Sequence, residues 1–432
     1  MSVARGDVSA APVRSTPKPP FDVEKVRRDF PTLDRPIHDR RLIYLDSAAS
    51  ALTPRPVIAR MTRFYEEGYA NIHRGAHLLS VEATADFEAA RERVAHFIGA
   101  EAPQEVVFTS GCTEAINLAA TTLGDLPQEA GGVGRGDEVL ITELEHHSNI
   151  LPWQRLCERR GATLRAAPID DTGQVDLTAF EELLSPKTKV VSITHASNVL
   201  GTVPPMKRLI DAAHGVGATV LVDGAQGIVH LPVDVQALGC DLYTFSGHKL
   251  YGPTGIGVLW GRRALLDRLG PYQVGGGTID TVHFEGSTYL PAPLRFEAGT
   301  PHIAGALGLA AAIDYLDSLD LEGLAAHEAR VFDAATDALG AIPRVRLLGV
   351  GEGNAQVSVR SFIIEGVHPA DAGTILDRQG IAVRVGHHCA QPLLRRLDVP
   401  ATTRISFGLY NTLEDVEALA AGVQKVIDLF FA

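Results

Sequence analysis

Several protein classes are excluded by what the sequence lacks. Cysteine is scarce: Cys112, Cys157, Cys240 and Cys389 are too few for a disulfide framework, and no CxxC pair is present to hold zinc. That usage fits a reducing cytosol. No apolar run approaches the ~18 residues that span a bilayer. Basic residues are outnumbered, 39 Lys and Arg against 52 Asp and Glu, and the formal charge of -13 argues against a nucleic-acid-binding surface. Met1 to Pro20 mixes Ser, Pro, Ala and Arg without an apolar segment, so it is no secretory signal and reads as a disordered tail. There is no GxxxxGK(S/T) loop, no HExxH, no GxSxG and no GxGxxG after a strand.

What is present is an ordinary globular composition, 45% hydrophobic and 21% charged. The length of 432 residues exceeds the ~250–300 at which one hydrophobic core stops growing, so two domains are expected. Phe21–Phe30 has helical spacing and stops at Pro31; Leu42–Asp46 reads as a short strand, and Val57–Tyr69 and Glu82–Ile98 as helices. Between those helices lies a polar insert containing His73, Arg74 and His77, suited equally to a surface loop and to an active-site or interface loop. From Glu105 the chain alternates. Strands are expected at Glu105–Thr109, Glu138–Thr142, Lys189–Thr194, Thr219–Asp223 and Asp241–Phe245, with helices after Ser110, at Trp153–Arg160 and at Met206–Val216. This βαβ rhythm predicts an α/β fold with a mostly parallel sheet covered on both faces. After Thr300 the texture changes to Ala- and Leu-rich helices and separated strands, a smaller α+β domain. The expected division is a tail (1–20), a segment packing with the small domain (21–45), a large domain (46–302) and a small domain carrying the Cys389 loop (303–432).

In such sheets ligands sit beyond the carboxyl ends of strands. Thr113, His146, Asn198, Asp223 with Gln226, and Ser246 to Lys249 all fall there. A free lysine amine, with a pKa of about 10.4, is neutral about once in 2,500 molecules at pH 7. Nucleophilic use of Lys249 therefore calls for a depressed pKa or a preformed Schiff base. A strand-end aspartate and a nearby lysine are the minimum kit for pyridoxal phosphate: the lysine bonds the cofactor, and the carboxylate keeps its ring nitrogen protonated so the ring draws electrons. Asp223 fits that carboxylate. Gln226 can donate to the phenolic oxygen, and His146 or His147 can stack on the ring. Thr113, Ser246 and His248 can bind the phosphate where a strand and glycine turn meet a helix N-terminus. Cys389, beside two histidines and near Arg384, is a candidate nucleophile; an unperturbed thiol is about 3% ionised at pH 7, and nearby cations raise that fraction. Arg404 is a candidate carboxylate clamp. No metal is expected, because the adjacent histidines His146–His147 and His387–His388 point apart on an extended chain.

The stretches His73–His77, Glu145–Asn149, Ser197–Thr202, Val222–Gln226, Ser246–Gly255 and Arg384–Pro392 occur in the order seen in group II (Suf-type) cysteine desulfurases, which the chain resembles from Phe21 to Ala432. Those enzymes belong to class V of the fold-type I pyridoxal phosphate proteins. The resemblance implies a large domain with a mostly parallel seven-stranded sheet and a smaller α+β C-terminal domain. It implies that Lys249 carries the cofactor, that Asp223 pairs with the ring nitrogen, that Gln226 and Asn198 flank the phenolic oxygen, and that His146 stacks on the ring and handles protons. Thr113, Ser246 and His248 match phosphate ligands, joined by the partner subunit's Thr300 in a homodimer. Arg404 would hold the substrate carboxylate with Asn198 assisting; Arg384, supporting the cysteine loop, and His73 complete the substrate-binding set. The implied reaction takes L-cysteine to L-alanine. Its sulfur is captured as a persulfide on Cys389 and passed to a Suf-type acceptor protein for iron–sulfur cluster assembly. A selenocysteine lyase or other class V enzyme, and a non-catalytic sulfur-scaffold subunit, are the rival readings. Two features depart from the family: Cys112, read as a packing substitute beside Thr113, and a Gly-rich insert near Ala130–Gly136.

Overall fold

The computed structural model describes residues 20–431 apart from 350, 352 and 354, so the expected tail lies outside the described residues but for Pro20. A seven-stranded sheet forms the centre of the fold. Across the sheet its order is Val106–Thr109, Gly257–Gly261, Leu242–Ser246, Thr219–Asp223, Thr188–Thr194, Glu138–Thr142 and Thr163–Ala167. All neighbours run parallel except Gly257–Gly261, which is antiparallel to both of its partners. The central strands are continuous apolar runs because both of their faces are covered. Val220 and Val222 enter one core with Phe180, Leu209 and Ile210, while Leu221 between them enters the opposite core with Ile116, Trp153 and Leu259.

Several elements escape the sequence reading, among them an edge strand, a hairpin and the short helix Leu177–Leu183. The edge strand Thr163–Ala167 buries only Ala167 and so leaves no apolar signature. The hairpin Ile279–His283 with Gly286–Tyr289 is largely exposed. The expected helix at Phe21–Phe30 is shorter, Val23–Arg27 capped by Asp22, because Pro31 starts a separate 3-10 turn. The helix expected from Glu82 begins at Leu78, where the His77 side chain accepts a hydrogen bond from the Ser80 N–H at 3.3 Å.

A second, antiparallel sheet has the order Val345–Leu347, Val359–Ile364, Thr402–Ser406, Arg384–Gly386. The helices Leu321–Gly340, Pro369–Asp377 and Leu413–Phe431 supply its core, including Val331, Leu376, Leu419 and Val423 around Ile405. The early strand Ile43–Tyr44 pairs in parallel with Ile381–Ala382, and Leu45 joins the same core. No helix among the described residues is long and apolar enough to cross a membrane.

One close approach sets up the site. A Cβ at Gly257 would come within 2.5 Å of the Gly111 Cα, at the point where Gly257 pairs with both Thr109 and Ser246. The absent side chain lets the N-terminus of the helix Cys112–Asp125 lie against the end of the Leu242–Ser246 strand. Gly257→Ala is therefore expected to cost about 1–3 kcal/mol by overpacking and to lower the thermal midpoint. Gly270→Ala, whose Cβ meets nothing within 4 Å, is the control. Equal midpoints for the two variants would refute the close-packing account.

Candidate active site

The carboxyl ends of the central strands meet Arg384 and Arg404 of the antiparallel sheet around a cavity of ≈ 210 Å³. Thr113, His146, Asn198, Asp223, Gln226, Ser246, His248, Lys249, Arg384, Cys389 and Arg404 all line it. His73 and Thr300 do not. Both are exposed on this chain; the His73 ring lies 3.9 Å from the Glu88 carboxylate, and its backbone N–H donates to Thr84 Oγ1.

Lys249 ends a short turn that begins at Gly247. Burial lowers its pKa, opposed by the negative charge of Asp223. Asp223 closes its strand, and its Oδ1 accepts from the Ala225 N–H at 3.0 Å and from the Cys112 thiol at 3.3 Å. His146 Nδ1 accepts from the Ser148 N–H at 3.1 Å, which leaves the proton of a neutral ring on Nε2. Burial first, and then the charge of Lys249, press the His146 pKa down to about 3. Next to Asp223, the Cys112 N–H donates to Ser246 Oγ at 2.8 Å in the first turn of a 14-residue helix that also carries Thr113. Such a helix end favours an anion. His248 beside it is held neutral by burial and by Lys249, with a pKa of about 4.

Cys389 is exposed and sits in a tight turn: His388 and Cys389 have φ of 52° and 56°, the left-handed region that L-residues avoid. Hydrogen bonds hold this turn in place. Asn198 Nδ2 donates to the His388 carbonyl at 2.7 Å, and the His147 N–H donates to the Cys389 carbonyl at 2.7 Å. The Gln391 N–H donates to His147 Nε2 at 3.0 Å, and His388 Nε2 lies 2.7 Å from Thr402 Oγ1. His147, equally suited by sequence to stack on a ring, instead fastens the cysteine turn. Arg404 is buried; its Nη1 donates to the Asn198 carbonyl and its Nη2 to Asp46 Oδ1, each at 2.9 Å. Arg384 stands 3.8 Å from the other Asp46 oxygen. Sequence reading missed Asp46, whose one available signal is its place at the end of the short apolar strand before Ser47.

Three buried polar atoms of cavity-lining residues have no hydrogen-bond partner: Gln226 Oε1, His388 Nδ1 and Arg404 Nε. Buried polar atoms are rarely left unpaired, so the cavity is built for a polar occupant. With an amine, a carboxylate and a helix N-terminus on one cavity, the lining residues fit pyridoxal phosphate. An α/β sheet with a half-buried lysine and an aspartate at adjacent strand ends fits the class of proteins that anchor a cofactor through lysine. Within that class the chain belongs to the aminotransferase class-V family, whose pattern matches residues 43–419.

A cysteine desulfurase of Synechococcus elongatus is 50% identical over 406 residues, covering 94% of this chain; the chain spans 64% of that relative, under two thirds of its length. A cysteine desulfurase of Klebsiella pneumoniae is 50% identical over 407 residues, covering 94% of this chain and 98% of the relative. The crystal structure of an Escherichia coli cysteine desulfurase, in an S-sulfonic acid form, matches with a TM-score of 0.87 at 39% identity, over 95% of this chain and 99% of that one.

Burial is the first cause of low histidine pKa values elsewhere too, about 4 for His195 and about 3 for His388. An unfolded imidazole titrates near 6.5. A folded pKa below the unfolded one means that the unfolded chain binds more protons, so this stability is present above about pH 6.5 and is lost as pH falls towards 4. The thermal midpoint of the cofactor-free protein is expected to fall over that window, and to fall less in His195→Gln. Identical pH slopes for parent and variant would contradict it.

Proposed function

We propose that this chain is a cysteine desulfurase that binds pyridoxal phosphate in the cavity and captures the sulfur of L-cysteine on Cys389. The observation that carries this reading is the convergence of the half-buried Lys249, the Asp223 carboxylate, the buried Arg404 guanidinium and the exposed Cys389 thiol on one cavity. When bound, the cofactor supplies an electron sink for charge developing at the substrate Cα. Lys249 would hold it through its amine, and the same amine, lowered in pKa by burial, is placed to move a proton at the substrate Cα. Asp223 Oδ2, which has no partner among the described residues, takes the ring nitrogen. Gln226 and Asn198 would flank the phenolic oxygen, and His146, which burial keeps a neutral imidazole, would lie against the ring. Thr113, Ser246 and His248 take the phosphate.

Arg404 and Arg384 draw the substrate carboxylate to the antiparallel-sheet side of the cavity, with Asn198 assisting. This orients the substrate thiol towards the Cys389 turn. The Cys389 thiolate attacks that sulfur: an S–S bond forms, the C–S bond breaks, and its electron pair with a proton completes the methyl group of L-alanine. The persulfide left on Cys389 is exposed, as transfer to an acceptor protein requires.

The same reading makes the chain a Suf-type, group II enzyme of the cytosol that delivers sulfur to a Suf-type acceptor for iron–sulfur cluster assembly. It has a large domain (46–302) and a small one (303–432), with 21–45 docked on the latter. It works as a homodimer, in which the exposed His73 and Thr300 serve the cavity of a second copy. Exposed Tyr65, Tyr69, Leu78, Leu79 and Val81 around the His73 loop support a covered face there.

The test is visible absorbance together with alanine formation from L-cysteine, reductant supplied. Cys389→Ala is expected to stay yellow and lose about two orders of magnitude or more in rate; Lys249→Ala is expected to lose the resting band. A yellow Cys389→Ala that makes alanine at the parent rate would sink the nucleophile assignment.

A further inference from the structure

Cys112 looks from sequence like a packing substitute, yet its buried thiol has specific partners. Sγ lies 3.3 Å from Asp223 Oδ1 and 2.9 Å from Thr244 Oγ1, and both neighbours are buried strand residues. An ionised carboxylate can only accept, so the thiol donates to Asp223 and the Thr244 hydroxyl donates to the thiol. The remaining donor on Oδ1 is the Ala225 N–H at 3.0 Å. One oxygen of Asp223 is therefore saturated by this chain, and the other has no partner among the described residues. The main chain of Cys112 is tied down as well, through its N–H to Ser246 Oγ at 2.8 Å. Residue 112 thus meets Ser246 with its backbone and Asp223 with its side chain, and all three line the cavity.

We infer that Cys112 is a positioning residue for the reaction. Its S–H fixes Asp223 Oδ1, so that Oδ2 is presented to the ring nitrogen of the cofactor with part of the carboxylate charge withdrawn. This rests on the reading that Asp223 faces that nitrogen. Burial pushes the Cys112 thiol pKa well above its ordinary value, which keeps the S–H in place to donate and sets this cysteine apart from the exposed nucleophile Cys389. Losing the donor leaves Asp223 a fuller negative charge, which favours protonated forms of the groups around it.

The readout is the pH titration of the visible band of the cofactor-loaded, substrate-free protein, with thermal melting to confirm folding. Cys112→Ala is expected to raise the midpoint by about half a pH unit, the size of one modest hydrogen bond, and to speed cofactor loss on gel filtration several-fold. Cys112→Ser is no bulkier than cysteine but keeps a donor, and it is expected to return the midpoint to the parent value or below. A midpoint unchanged in Cys112→Ala, or shifted equally in Ala and Ser, overturns the inference. Asp223→Asn separates the two levels. If its band and titration match the parent, the placement of Asp223 against the cofactor fails; if they change while Cys112→Ala matches the parent, the role of Cys112 alone fails.

Discussion

The buried guanidinium of Arg404 is the joint on which the site depends. A guanidinium out of water must be paired, and removing one partner of such a pair typically costs about 3–5 kcal/mol. Its partners come from distant parts of the chain: Asp46 from the start, the Asn198 carbonyl from the loop after a central strand, and its own position from the antiparallel sheet. Asn198 then reaches on to the His388 carbonyl, so one connected set of bonds runs from the N-terminal segment to the cysteine turn. The cavity is the space these bonds hold open.

Its walls act on each cationic group according to that group's intrinsic pKa. Desolvation lowers Lys249, His146, His248 and His388 alike, and Arg404 with them. The imidazoles start near neutrality and become plain neutral acceptors, and the lysine moves towards a usable lone pair. The guanidinium starts so far above neutrality that it stays charged. One desolvating environment thus holds unprotonated nitrogen beside a permanent cation.

The central strands were legible because burial on both faces writes an unbroken apolar run, as at Thr219–Asp223. The strand Thr163–Ala167 was not, since an edge strand burying a single alanine writes none. The cavity residues on the central sheet were legible for a related reason: polar side chains that interrupt apolar strands at their carboxyl ends stand out. Asp46 follows a strand of two residues and is defined by a partner 358 positions away, a relation no local pattern carries. Local pattern alone did not separate His146 from His147, because adjacent residues share every local signal and differ only in the direction they face; the resemblance pointed to His146. Thr300 came from resemblance alone and His73 from a polar insert suited equally to a surface or a site loop, and neither lines the cavity of its own chain.

That histidine pair has a mechanical consequence. His146 borders the cavity, while the next residue holds the cysteine turn at two points, through its N–H to the Cys389 carbonyl and its Nε2 to the Gln391 N–H. The spacing between the His146 imidazole and the Cys389 thiol is thereby gauged through a single planar peptide link rather than through the docking of two separately packed sheets. Small relative motions of the two sheets carry both groups together, so their mutual alignment is insulated from breathing of the fold.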